Sequence, residues 1–232
     1  MNKFVIADIH RFYAALKQCI ERSGFDYEND LLICLGNKCD RGPKTFLCFE
    51  ELLKVRHLIY ILGNHDLWFK SYLNSDQRNP NPIWLNQGGR STLKSYQANL
   101  VPQSHLQLLN EALLFKEMDN NLFVHAGFAP DKPLELNDPD VLIWERAFIL
   151  SAYDKKDFHG KLSNYEKVFV GHTTTVSREF NSKTPIIFNE FRMIDTGVIH
   201  GKHLSIMNID TDEYYQSDQV SDLYPDRSFC SI

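Results

Sequence analysis

The 232-residue chain has no C-x-x-C pair, no apolar run approaching a membrane span and no basic stripe. Each absence removes a class of protein. Five cysteines, at positions 19, 34, 39, 48 and 230, form an odd set without metal-ligand spacing. They read as reduced thiols of a cytoplasmic core, not as a disulfide framework. The first apolar stretch, Phe4 to Ala7, is cut short by Asp8, too early for a secretory leader, and nothing reaches the roughly 18 apolar residues of a spanning helix. A formal net charge of −5 argues against a partner such as nucleic acid, whose phosphates call for a basic surface, but leaves room for a local cationic pocket that takes a small anion. With 11 glycines, 9 prolines and 43% hydrophobic residues, the composition is that of an ordinary globular domain.

What is present is a strand-and-helix alternation. Phe4 to Ile9, Leu31 to Leu35 and Leu58 to Leu62 are apolar runs of strand length, separated by helical spacing over Phe12 to Arg22 and Pro43 to Val55. This order predicts an α/β fold with a mostly parallel sheet, its loops sharing the edge where such sheets place ligands. Residues 65–110 read as mainly helical. From Leu113 onward short β-like runs predict a second, more antiparallel sheet: Leu122 to Val124, Val168 to Val170, Ile186 to Phe188, Met193 to Ile194 and Leu204 to Ile209. His200 to His203 is expected to turn a hairpin. Residues 1–215 are expected to form the catalytic domain, with 216–232 as a loosely attached tail.

Polar clusters, four of them bearing glycine, follow five of the apolar runs: Asp8-Ile9-His10, Gly36 to Gly42, Gly63-Asn64-His65-Asp66, His125-Ala126-Gly127 and Gly171-His172-Thr173. Carboxylate and amide oxygens together with imidazoles suit borderline divalent metals such as Mn, Fe or Zn. The glycines let the backbone turn sharply and approach a metal or a phosphate. Any one motif is weak; five in this order are not.

The order D-x-H, G-N-K-C-D-R-G, G-N-H-D, H-A-G, G-H-T resembles the signature of calcineurin-like metallophosphoesterases, and the D-R-G ending resembles their phosphoprotein phosphatase branch. That branch includes small bacterial serine/threonine phosphatases and symmetrical dinucleoside tetraphosphatases. Residues 84–89 (W-L-N-Q-G-G) and 142–146 (L-I-W-E-R) are similar to its small bacterial members. The resemblance implies a two-sheet β-sandwich with flanking helices, in four α/β/β/α layers, around two divalent ions, Mn foremost. It assigns Asp8 and His10 to the first metal, Asn64, His125 and His172 to the second, and position 37 to both. It makes Arg41 and Arg146 phosphoryl clamps, with Asn64 also near substrate, and His65 the leaving-group acid oriented by Asp40. A hydroxide activated between two cations roughly 3.5–4 Å apart would attack phosphorus in line.

Two positions depart from the pattern. Asn37 stands where the family has its bridging aspartate. An amide oxygen can ligate but cannot neutralise, and a charge pair at 4 Å in an effective dielectric near 20 is worth roughly 4 kcal/mol, so weakened metal loading is expected. Arg11 stands where related sequences have glycine, either as a solvated residue opening the first helix or as an extra cation favouring a second phosphate. His57, His105, His159, His200 and His203 match no motif and are read as surface or core residues.

The leading expectation is a metal-dependent phosphomonoesterase of serine/threonine type, impaired by Asn37. The alternatives are a hydrolase of dinucleoside polyphosphates, with Trp68, Phe69, Tyr72 and Trp84 as candidate base contacts, a phosphatase of small metabolites, or a non-catalytic binder of phosphorylated ligands. The expected partner is a phosphorylated protein or a small phosphorylated substrate, with no membrane and no nucleic acid.

Overall fold

The structure is a computed structural model that describes residues 1–96, 100–157 and 160–225. His159 and Cys230 lie outside the described residues. Two five-stranded sheets face each other. The first has the order β10-β9-β1-β2-β3, where β1 is Lys3–Ile6, β2 Leu31–Cys34, β3 His57–Tyr60, β9 Ser205–Asn208 and β10 Tyr214–Gln216. The second has the order β4-β5-β6-β8-β7, where β4 is Phe115–Met118, β5 Asn121–Val124, β6 Lys167–Val170, β7 Ile186–Phe188 and β8 Phe191–Met193.

Period-two alternation sorts the side chains. In β1, Val5 points between the sheets while Phe4 and Ile6 point outward. The inner layer joins Val5, Ile33 and Met207 to Phe123 and Phe169, whose rings stack at 4.9 Å. Outside the first sheet lie α1 (Tyr13–Ser23) and α2 (Thr45–Leu52), whose buried faces include Leu16, Cys19, Cys48 and Leu52. A side layer follows β3: α3 (Asn64–Leu73), the turn α4 (Pro82–Trp84), α5 (Arg90–Ser95) and α6 (Gln103–Asn110), packed on Phe49, Phe69, Trp84 and Leu109. α7 (Pro139–Trp144) and α8 (Ala147–Asp154) cover the second sheet through Leu142, Ile149 and Ala152. The result is the expected α/β/β/α sandwich. Among the described residues no helix is long and apolar enough to cross a membrane.

Several expectations need correction. β1 and β2 end at Ile6 and Cys34, because the apolar residues beyond them, Ile9 and Leu35, are buried in loops and not in ladders. Both sheets are mixed: β1–β2–β3 and β5–β6–β8 pair in parallel, with antiparallel strands at the flanks. The run at 204–209 does not join the second sheet, since β9 pairs antiparallel with β1. His200 to His203 is no hairpin turn; it closes a short 3-10 turn, Val198–His200, on the crossover between the sheets. Residues 216–225 are not a loose tail either. Val220 of α9 (Val220–Leu223) is fully buried, and the Tyr224 hydroxyl accepts the Ala14 N–H at 2.9 Å.

Candidate active site

Five loops leave the carboxyl ends of β1, β2, β3, β5 and β6 and meet at one place. Reaching it costs backbone strain. Asp8, His10, Arg11, Asn37, Asp40, Arg41 and His172 all have φ between 44° and 70°, a region L-residues avoid. Strained backbone of this kind persists only where its surroundings over-determine it. Here Gly36, itself at φ +88°, leaves no room for a Cβ, which would stand 2.5 Å from Gly63 N. The β2 and β3 loops touch through this glycine pair.

Asp66 organises the same contact. Its buried carboxylate accepts the backbone N–H groups of Asn37 (2.6 Å), Lys38 (3.2 Å) and Gly63 (3.2 Å) and the hydroxyl of Tyr60. The reach back to Gly63 from the third residue of α3 is half of a capping box. Burial alone would raise this carboxyl; the Lys38 ammonium and the Tyr60 hydroxyl bring it below its ordinary value. The acid three residues after a glycine was the available sequence signal for this role, and sequence reasoning missed it.

One side of the site is a hydrogen-bonded acid assembly. His65 Nδ1 donates to Asp40 Oδ2 at 2.7 Å, which leaves Nε2 as the nitrogen that can hold or release a proton. Asp40 is completely buried and fixed from behind by the Trp84 indole N–H (3.0 Å) and the Thr92 hydroxyl (2.6 Å), while its own N–H donates to Thr92 Oγ1 (3.0 Å). Arg41 donates to Gln87. The close approach of residues 84–92 to this loop needs Gly88, at φ +110°, where a Cβ would lie 2.6 Å from Arg41 N. Trp84 and Phe69 are wholly buried and so unavailable to stack a base. Trp84 is a support for Asp40.

The other side gathers Asp8, His10, Asn37, Asn64, His125 and His172. The Asn37 carbonyl oxygen accepts the His65 N–H at 3.0 Å, so its NH2 faces inward and donates to Asp8 Oδ1 and Asn64 Oδ1, both at 2.9 Å. The second oxygen of Asp8 accepts the His172 N–H at 2.8 Å. Burial pushes the Asp8 carboxyl up to about 7, against the pull of these two donors. His10 Nδ1 donates to Cys39 O (3.1 Å) and His125 Nδ1 to Leu35 O (2.6 Å), so each ring turns its Nε2 lone pair inward. Burial also holds His10 well below its ordinary value, His125 at about 4 and His172 at about 2, leaving neutral imidazoles.

These groups fit a divalent cation. His172 Nε2 is buried with no partner, and His125 Nε2 lies 3.1 Å from Asn64 Oδ1, two acceptors face to face. Asn64, His125 and His172 would hold one ion, and Asp8 with His10, 3.7 Å apart, would face the other position. Among the described residues no three His, Cys, Asp or Glu side chains form a metal set. The asparagines at 37 and 64 separate them into the pairs Asp8–His10 and His125–His172.

Arg146 is exposed and reaches the His172 carbonyl at 3.4 Å, beside the metal-facing residues. Arg11 corrects the expectation of a solvated or mouth-facing cation: it is 1% exposed, with Nε and Nη1 unpartnered, and burial lowers it to about 10. The Asp40 carboxylate opposes this fall. His105 is a core residue bonded to Tyr96 and Glu50.

Residues 1–201 match the calcineurin-like phosphoesterase family, and the chain belongs to it. It is 23% identical over 216 residues to Serine/threonine-protein phosphatase 1 of Salmonella typhimurium (strain LT2), covering 89% of this chain and 91% of that protein. It is 29% identical over 138 residues to the symmetrical bis(5'-nucleosyl)-tetraphosphatase of Buchnera aphidicola subsp. Schizaphis graminum, covering 56% of this chain and 46% of that protein. A metallophosphoesterase from Sphaerobacter thermophilus shares the fold, with a TM-score of 0.62 and 16% identity over 100% of this chain and 98% of that one. The family makes the chain a phosphoesterase, and the phosphatase and tetraphosphatase relatives belong to its phosphoprotein phosphatase branch.

Proposed function

We propose that this chain hydrolyses phosphomonoesters on serine or threonine side chains of proteins. The observation that carries the proposal is the Asp40–His65 pair, locked by Trp84 and Thr92 next to Arg41. A departing serine or threonine alkoxide is strongly basic and needs a proton as the bond to phosphorus breaks. His65 Nε2 delivers it, while Asp40 fixes the ring and stabilises its charged form before transfer. Arg41, held by Gln87, and Arg146 supply guanidinium donors for the phosphoryl oxygens. A divalent cation, manganese first among those suited to these oxygen and nitrogen donors, supplies Lewis-acid charge and an acidified water when bound.

The relative named as a serine/threonine phosphatase is matched along nearly its whole length, which supports this substrate class. Two of the four aromatics that a base-binding reading would use, Phe69 and Trp84, are buried in the helical layer, which disfavours a dinucleoside substrate.

The test compares phosphoserine peptides with nitrophenyl phosphate, whose phenolate leaves without protonation. With added Mn, His65→Asn is expected to lose roughly 10²–10⁴-fold in kcat on the peptide and far less on the aryl ester. Equal losses on both substrates would contradict the assignment of His65. Absence of turnover both in the chain as given and in Asn37→Asp would favour a non-catalytic binder of phosphorylated ligands.

A further inference from the structure

We infer that this chain holds one divalent cation, between Asn64, His125 and His172, and that the Asn37 amide closes the neighbouring position by tying Asp8 to Asn64. The inference rests on the phosphoesterase reading of the site and concerns how many ions that site takes.

The orientation of the Asn37 amide decides the matter. Its oxygen is claimed by the His65 N–H, and a flipped amide would set NH2 against that N–H, donor against donor. The NH2 is therefore directed between Asp8 Oδ1 and Asn64 Oδ1, 2.9 Å from each. An aspartate in this position would offer an oxygen and a negative charge. The asparagine offers two hydrogens and no charge, so it does what a cation would do there, joining two acceptors.

The two halves are then unlike. Each oxygen of Asp8 already accepts one hydrogen bond, one from Asn37 and one from the His172 N–H, and the His10 Nε2 lone pair also faces inward on that side. On the other side two imidazole acceptors lack a donor: His172 Nε2 has no partner, and His125 Nε2 is set against Asn64 Oδ1, which itself accepts the Asn37 NH2. A buried acceptor without a donor is costly, and two facing acceptors more so. One cation at that point gives both imidazoles a partner and takes the second lone pair of Asn64 Oδ1. Charge argues the same way, since a carboxylate lost at 4 Å in an effective dielectric near 20 lowers cation affinity roughly a thousandfold.

The test is a calorimetric titration of the metal-free chain as given with Mn2+ alone, with metal analysis after dialysis. The chain as given is expected to bind one equivalent, and His125→Ala to abolish it. Asn37→Asp is expected to bind two, with the added ion at least a hundredfold tighter than any second binding by the parent. Without metal, Asn37→Asp is expected to melt roughly 2–4 °C below the parent, because two carboxylates then face each other with no donor between them.

Two tightly bound equivalents in the parent would overturn the inference while leaving the proposed hydrolase intact. A single equivalent that survives His125→Ala would overturn its placement. Failure of both the parent and Asn37→Asp to bind Mn2+ would end the inference and the metal-dependent reading together. If Asn37→Asp does not fold, the parent stoichiometry with its His125→Ala control decides alone.

Discussion

The acid side and the bridging side of this site are built from the same strand ends and the same strained loops, yet they differ in how completely their polar groups are satisfied. Around Asp40 both carboxylate oxygens have donors, and the one histidine nitrogen left free is the one chemistry needs. Around Asn37 the hydrogen bonds also close on one half, but by an amide standing in for charge, while His172 Nε2 and the His125–Asn64 contact are left unmet on the other. The two sides are tied by the Asn37–His65 hydrogen bond and by the edge-on contact of the His10 and His65 rings, yet none of the donors that fix Asp40 belongs to the cation side.

The comparison can be broken most forcefully at Asp40. Asp40→Asn keeps the shape but leaves the His65 ring with the wrong partner. It is expected to lower kcat on phosphoserine peptides roughly 10²–10³-fold while leaving Mn2+ binding unchanged. A parallel loss of metal affinity would show that the two sides are not separable.

Thr92→Val sharpens the same point at smaller scale. It removes one donor to Asp40 and the acceptor of the Asp40 N–H, leaving a buried oxygen and a buried N–H short of partners. The expected effects are about a tenfold fall in kcat and about 1–3 kcal/mol of stability in urea denaturation, with KM little changed. A change confined to KM would place Thr92 in substrate contact instead.

The smallest effect lies outside both sides and serves as a control. Glu51 of α2 is 1% exposed and joins α1 through Lys17 at 3.0 Å and the turn after its own helix through Lys54 at 2.8 Å, with Tyr27 also donating. Burial would raise its carboxyl, but these donors lower it to about 2. A carboxyl depressed in the folded state contributes stability that is present above about pH 4.5 and lost as pH falls toward 2. Glu51→Gln is expected to flatten the stability profile across that window by about 2 kcal/mol, without altering kcat at neutral pH. An unchanged acid limb would remove Glu51 from the account.

Much of this was legible in the sequence. The apolar runs at Leu31 and Leu58, the helix beginning beside Phe12, and the five clusters at strand ends located the first sheet's parallel strands and the loops that converge. Partner choice was not legible, since an apolar run such as 204–209 records that it is buried and not beside which strand, so β9 was assigned to the wrong sheet. α9 was taken for part of a tail because its short run carries few apolar residues, although Val220 and Tyr224 anchor it. The roles of Asp66, Trp84, Thr92 and Gln87 depend on contacts with the Asn37–Arg41 loop made across 28 to 52 residues of chain, beyond the reach of local pattern. The identity of Asn37 was plain from the start, whereas the direction of its amide follows only from the His65 N–H that claims its oxygen.

Anomalous diffraction from manganese-soaked crystals of the chain as given tests the central claim most directly. One peak, adjoining the Nε2 atoms of His125 and His172, is the predicted result. A second peak of comparable height between Asp8 and His10 would contradict it.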